Sequence, residues 1–127
     1  MCRFAIVVFL AWANFTALTA AEVSLPAAGV HTGGSVIVVS PVDATPLVRR
    51  LNEWGVAAWA LPATATAADA RRAVQELRAR AAALKLSPTR VALLGFAGGA
   101  DVMADAVDQS HGEVAAASRP DFVALIW

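Results

Sequence analysis

Four short apolar runs, SVIVVS (35–40), VAAWAL (56–61), RVALLGF (90–96) and DFVALIW (121–127), recur along the chain with longer, polar-striped segments between them. A run of this length that never alternates with polar residues reads as a strand buried on both faces. Each gap carries a helix pattern, so the order is β-α-β-α-β-α-β. Right-handed crossovers then require a mainly parallel sheet with helices on both faces. The last run has no helix after it, and the expectation is an α/β domain truncated at that strand.

The helix patterns carry their own start and stop signals. In ATPLVRRLNEWG (44–55), Thr45 is placed to cap, Pro46 sits in the first turn and Gly55 stops the helix. The longest pattern runs from about Ala67 to Lys85, with Thr66 and Asp69 spaced as a capping box. Ala70, Ala73, Val74, Leu77, Ala81 and Leu84 form its apolar stripe. Arg71, Arg72, Arg78 and Arg80 lie largely outside that stripe beside Glu76, which reads as a solvated face. A third helix is expected from about Gly98 to Asp108, followed by the polar loop QSHGEVAAASRP. Residues 22–34, EVSLPAAGVHTGG, read as a polar lead-in.

Composition limits what the chain does. With 58% hydrophobic and 16% charged residues in 127, it suits one small domain with a real core. The net charge of zero provides no basic surplus for nucleic acid or an anionic membrane. Residues 1–21 have Arg3, an apolar run from Phe4 to about Ala13, and small residues at Thr19, Ala20 and Ala21, the pattern of a secretory signal peptide. An uncleaved anchor is the alternative, disfavoured because Asn14 and Thr16 cut the apolar run below spanning length. The expected mature domain is 22–127, secreted or periplasmic and free of the membrane after cleavage. Cys2, the sole cysteine, leaves with the leader, so no disulfide and no Cys-based metal site is expected. Neither a metal nor a cofactor is called for.

Between the third strand and third helix stands Gly95-Phe96-Ala97-Gly98-Gly99. Strand, G-x-S-x-G and helix make a nucleophile elbow: the turn lifts a serine oxygen above the sheet, and the glycines let strand and helix approach. Here Ala97 holds the serine position, Gly95 and Gly99 are the elbow glycines, and Gly98 is placed to offer a backbone N–H to an oxyanion. DARRAVQELRARAAALKLSPTRVALLGFAGGADVMADA followed by SRPDFVALIW resembles secreted bacterial esterases of the α/β-hydrolase superfamily, the acetyl-xylan-esterase-like group. Those proteins carry an Arg-rich helix, an spxRvallGFSAGG strand and turn, and an RPDFavLiYP strand in the same order. PLVRRLNEWGVAAWAL is similar to their preceding helix and strand, so the resemblance covers roughly residues 35–127. It implies an α/β-hydrolase fold and a serine ester hydrolase, with acetylated polysaccharide or a small ester as partner.

Three departures set this chain apart from that pattern. GFSAGGH reads GFAGGAD, which removes the attacking oxygen and puts Asp101 where a histidine is common. The glycine-rich loop that follows the first strand reads Ser40-Pro41-Val42-Asp43, and Pro41 has no N–H for the oxyanion. The acid and base of a Ser…Asp/Glu…His order belong beyond the final LiYP strand of the resembled proteins. A catalytically incompetent relative is therefore expected, with a non-catalytic glycan- or protein-binding module as the alternative. His31 in the lead-in and His111 beside Ser110 read as surface residues, not as a base. Asp101, Asp105 and Asp108 share a helix face and read as solvated, with the helix dipole favouring Asp101. Trp54 and Trp59 fall in apolar patterns and read as core instead of as sugar platforms. A nucleotide-binding domain is disfavoured, because no G-x-G-x-x-G or G-x-x-x-x-G-K-[ST] follows the first strand. An exposed last strand predicts an oligomer or aggregate through its edge.

Overall fold

The computed structural model describes residues 23–108 and 115–127. Residues 1–22, which include the expected signal peptide, and residues 109–114, which include His111, lie outside the described residues. The four apolar runs become β2 (Ser35–Val39), β3 (Ala57–Leu61), β4 (Val91–Phe96) and β5 (Phe122–Ile126). The helices between them are α1 (Thr45–Glu53), α2 (Ala67–Leu84) and α3 (Gly98–Val107). A further strand, β1 (Val23–Ser24), lies in what reads as lead-in, pairing antiparallel with β3 through Val23 opposite Trp59. Two paired residues carry no periodicity, so nothing in the sequence announces β1. Asn52 secures it, donating from Nδ2 to the carbonyls of Ser24 and Val56.

The sheet runs β1-β3-β2-β4-β5, and every pair except β1 with β3 is parallel. From β2 the chain steps outward to β3, then back across β2 to β4. Right-handed crossovers in opposite directions put α1 on one face and α2 on the other. The step from β4 to β5 continues in α2's direction, so α3 joins α2 and packs against it. Ile37, Val39, Leu93, Leu77 and Met103 form the core between the sheet and that helix pair. On the opposite face α1 packs on β3, leaving Ala92, Leu94 and Phe96 of β4 only half-buried.

β5 is the exposed edge strand expected at the end of the chain's last apolar run, although that run's composition reads as buried on both faces. It forms the sheet's edge, and Phe122 and Ile126 are 68% and 49% exposed. The register with β4 aligns Phe122, Ala124 and Ile126 with Ala92, Leu94 and Phe96 along α1's side of the sheet, an apolar strip that no described helix covers. The chain is therefore expected to self-associate at micromolar concentration, and sedimentation of a single monomeric species would contradict this.

Helix ends follow the sequence in part. The Thr66–Asp69 capping box forms in both directions, with Thr66 N donating to Asp69 Oδ2 at 2.9 Å and Asp69 N to Thr66 Oγ1 at 3.2 Å. Thr45, by contrast, is the first helical residue of α1 and not its cap. Asp43 captures it instead, its Oδ1 accepting from Thr45 N at 3.0 Å and from Thr45 Oγ1 at 2.6 Å. α2 ends on Lys85 in the left-handed conformation, at φ 58°. Glycine holds that conformation without the β-carbon penalty, at some cost in unfolded-chain entropy. Lys85→Gly is thus expected to raise stability by about 0.5 kcal/mol, read as a higher urea midpoint.

The arginines of α2 do more than face solvent. Arg71 donates to the carbonyls of Ala106 and Asp105 at 2.9 and 2.8 Å, closing the carboxyl end of α3. Arg78 reaches the carbonyls of Pro88, Ala116 and Ala117 and the Asp121 carboxylate. Arg72 pairs with Asp69, and Arg80 is engaged as well. The partners of Arg71 and most of those of Arg78 come from segments distant in sequence, which helical spacing alone does not reveal, whereas Arg72–Asp69 is a local pair.

Candidate functional site

At the carboxyl end of the parallel strands, the loop after β2 and the turn after β4 face each other. Between them lies a cavity of about 270 Å³ lined by Ser40, Pro41, Val42, Asp43, Ala44, Leu47, Phe96 and Ala97. Openings at the carboxyl ends of such strands, where the strand order reverses, are where α/β sheets bind ligands. Here the reversal lies between β2 and β4, the two strands that frame the cavity.

Ala97 is the hinge of the turn. Its φ of 50° and ψ of −122° lie where residues with a β-carbon are strained, at a cost of about 1–3 kcal/mol. Neighbours hold it there: Ala97 N donates to Ile126 O at 2.7 Å, and Ala97 O accepts from Ala100 N at 2.9 Å. The glycines on either side are required by contact. A β-carbon on Gly95 would stand 2.4 Å from Gly99 O, and one on Gly99 would stand 2.2 Å from Val39 O. Gly98 is different, since a β-carbon there would meet nothing within 4 Å. Its N–H belongs to the first turn of α3, where no intrahelical carbonyl is available. The geometry of an elbow is present, and its side chain is a methyl group without an oxygen to attack or a proton to give up.

The loop after β2 lacks free backbone donors at its start. Pro41 has no N–H, and Val42 N donates to Ser40 Oγ at 3.2 Å. Ser40 is 9% exposed. Ser40 and Asp43 are the polar residues among those lining the cavity, which a reading confined to backbone donors passes over. A serine two residues before a backbone N–H is the signal of a local side-chain turn that would have found Ser40. The Thr45 hydroxyl, and then the Thr45 N–H, hold the Asp43 carboxyl below the ordinary carboxylate range.

The other candidates lie elsewhere. His31 sits at the amino end of β2, away from the cavity; its Nδ1 accepts from Gly33 N at 3.1 Å. It is not the surface residue expected: the ring is half-buried, and Nε2 is enclosed without a hydrogen-bond partner. The loop folds over it because Thr32 and Ser87 tie that segment to Gly55 and Gly33. Asp101, Asp105 and Asp108 are all exposed, in keeping with a solvated face, and Asp101 in addition accepts from Trp127 Nε1 at 3.1 Å. Trp59 is buried, as its pattern predicts, at 5% exposure. Trp54 is not core but 64% exposed, because it falls where α1 ends and turns outward with Arg50 lying 6.0 Å from its ring.

No family model matches the chain. No curated protein matches it either. Solved structures do. A thermophilic esterase from the planctomycete Thermogutta terrifontis, in its butyrate-bound form, is 15% identical with a TM-score of 0.61, over 80% of this chain and 45% of its own. An acetyl ester-xyloside bifunctional hydrolase from Caldicellulosiruptor lactoaceticus is 23% identical with a TM-score of 0.54, over 72% of this chain and 42% of its own. The Thermogutta esterase 2 phosphonylated by sarin is 17% identical with a TM-score of 0.54, over 63% of this chain and 36% of its own. This chain therefore spans less than half the length of these similar chains, and what it shares with them is the α/β-hydrolase fold.

Proposed function

We propose that this chain is a secreted or periplasmic carboxylesterase-like α/β-hydrolase protein, related to carbohydrate esterases, whose elbow binds acyl compounds without turning them over. One observation carries this reading: Ala97 occupies the strained turn between β4 and α3, beside an apolar cavity. Acyl-enzyme formation needs an oxygen nucleophile and a base to take its proton. A methyl group supplies neither bond nor proton. The apolar lining of Pro41, Val42, Leu47 and Phe96 still suits a short acyl chain. Names of similar structures point the same way, since one is described with butyrate and another as an acetyl ester-xyloside hydrolase.

The test uses a fluorescent organophosphonate and intact-mass spectrometry. The chain as it stands is expected to gain no adduct, and it is expected to leave an aryl acetate unhydrolysed above background. Ala97→Ser restores an oxygen in the same backbone geometry and is expected to form the adduct at that residue slowly, because no histidine is seen beside the elbow among the described residues. Labelling of the unmodified chain at the elbow would overturn the proposal.

A further inference from the structure

β5 is exposed along both of its side-chain rows. Phe122 and Ile126 are exposed on α1's side of the sheet, and Val123 is 39% exposed on the other. A helix laid over α1's side covers the first row and leaves the second. A strand alongside β5 flanks both rows and pairs the backbone N–H and C=O groups of the edge. Edges of this kind are ordinarily blunted by charge or proline, and FVALIW (122–127) has neither. Asp121, the charge just before it, is engaged by Arg78 and by Val91 N. The strand also matches its own reverse. About Ala124, the residues one step away are Val123 and Leu125, and those two steps away are Phe122 and Ile126. A two-fold rotation through Ala124 makes an antiparallel pair in which Phe122 faces the second copy's Ile126 and Val123 its Leu125. An aromatic ring against a β-branched side chain is a favourable cross-strand pair, the smallest side chain falls on the axis, and no charge meets itself.

We propose that β5 is the contact surface for a second copy of this chain. Two molecules join through their β5 edges, antiparallel and in register on Ala124, into a single continuous sheet. One short strand pair is small beside the roughly 1,600 Å² of a tight protein interface, so the dimer forms at micromolar concentration. It also bears on the elbow. Ile126 O accepts the Ala97 N–H, so a neighbour that holds β5 holds the strained turn.

The experiment uses the full chain with Cys2→Ser, so that an introduced cysteine is the sole one. Sedimentation first fixes the concentration at which the dimer forms. Ala124→Cys, Phe122→Cys and Ile126→Cys are then oxidised there, and covalent dimers are measured by intact mass. Opposed residues of an antiparallel pair lie about 4.5–5.5 Å apart between Cα atoms, within disulfide reach. Phe122 is offset from its own copy by four residues, roughly 13 Å. Ala124→Cys is therefore expected to cross-link about 10-fold more than either other variant alone, and a mixture of those two is expected to yield the heterodimer. Phe122→Lys and Ile126→Glu are each expected to raise the dissociation constant about 10-fold, and the double variant is expected to recover it, because each new ammonium faces the second copy's new carboxylate. The Ala97 amide is expected to exchange about 3-fold more slowly at dimeric than at monomeric concentration. A monomer at every concentration would overturn the proposal. Equal cross-linking at the three positions, or no recovery in the double variant, would overturn the two-fold register. Unchanged exchange at Ala97 would overturn the link to the elbow.

Discussion

Gly99→Ala is expected to cost about 4 kcal/mol or more, enough to unfold a domain of ordinary stability. The added carbon would stand 2.2 Å from Val39 O and 2.7 Å from Val39 C. Both are backbone atoms of the central strand β2, paired on each side, so no rotamer change relieves the overlap. Gly95→Ala meets Gly99 O at 2.4 Å and Ala100 Cα at 2.7 Å, and a loss of similar size is expected. Gly98→Ala meets nothing and places a better helix former in the first turn of α3, so its effect is expected within about 0.5 kcal/mol of zero or slightly stabilising. Urea unfolding of the three variants separates the two roles that glycine has in GFAGGA. If all three lower the midpoint alike, close approach of β4, α3 and β2 is not what these glycines serve.

That contrast also marks how far the sequence reaches. Of the stripe Ala70, Ala73, Val74, Leu77, Ala81 and Leu84, all are buried as the spacing predicts except Leu84, half-buried in the last turn, because a helix's periodicity is a local property. Gly95 and Gly99 were legible because close packing excludes every other side chain at those sites. Trp54 was not: apolar neighbours suggested burial, but its place at the end of α1 decides its exposure. Ser40 and Asp43 were visible only as a loop without glycine, since their value comes from facing Phe96 and Ala97 some fifty residues away. The β5 run read as a buried strand because composition records what a strand prefers to touch, not what is there to touch it. Phe122 and Ile126 are apolar residues at a sheet edge whose α1 side no described helix covers.

Arg78→Met is expected to cost about 2–3 kcal/mol and to loosen the elbow from a distance. Its guanidinium donates to Pro88 O at 3.0 Å, Ala116 O at 2.9 Å and Ala117 O at 3.1 Å. It also pairs with Asp121 at 3.2 Å, in a contact where the arginine side chain is only 19% exposed. Methionine keeps the aliphatic stem's packing and leaves three carbonyls and one carboxylate to find water. Asp121 stands just before β5 and also accepts Val91 N at 3.0 Å, so Arg78 fixes the point where β5 joins β4. At the far end of β5, Ile126 O accepts the Ala97 N–H that holds the strained turn. A β5 whose start is held only by the bonds between Asp121 and Val91 should fray more readily, and the exchange of the Ala97 amide hydrogen should accelerate about 10-fold or more relative to the amides of β2. Arg71→Met removes a comparable arginine from the same helix but frees only the end of α3, and it should leave that exchange rate near its original value. Equal acceleration in both variants would mean that the turn responds to global stability alone. Acceleration confined to Arg78→Met would establish β5 as the strut through which α2 maintains the elbow's geometry.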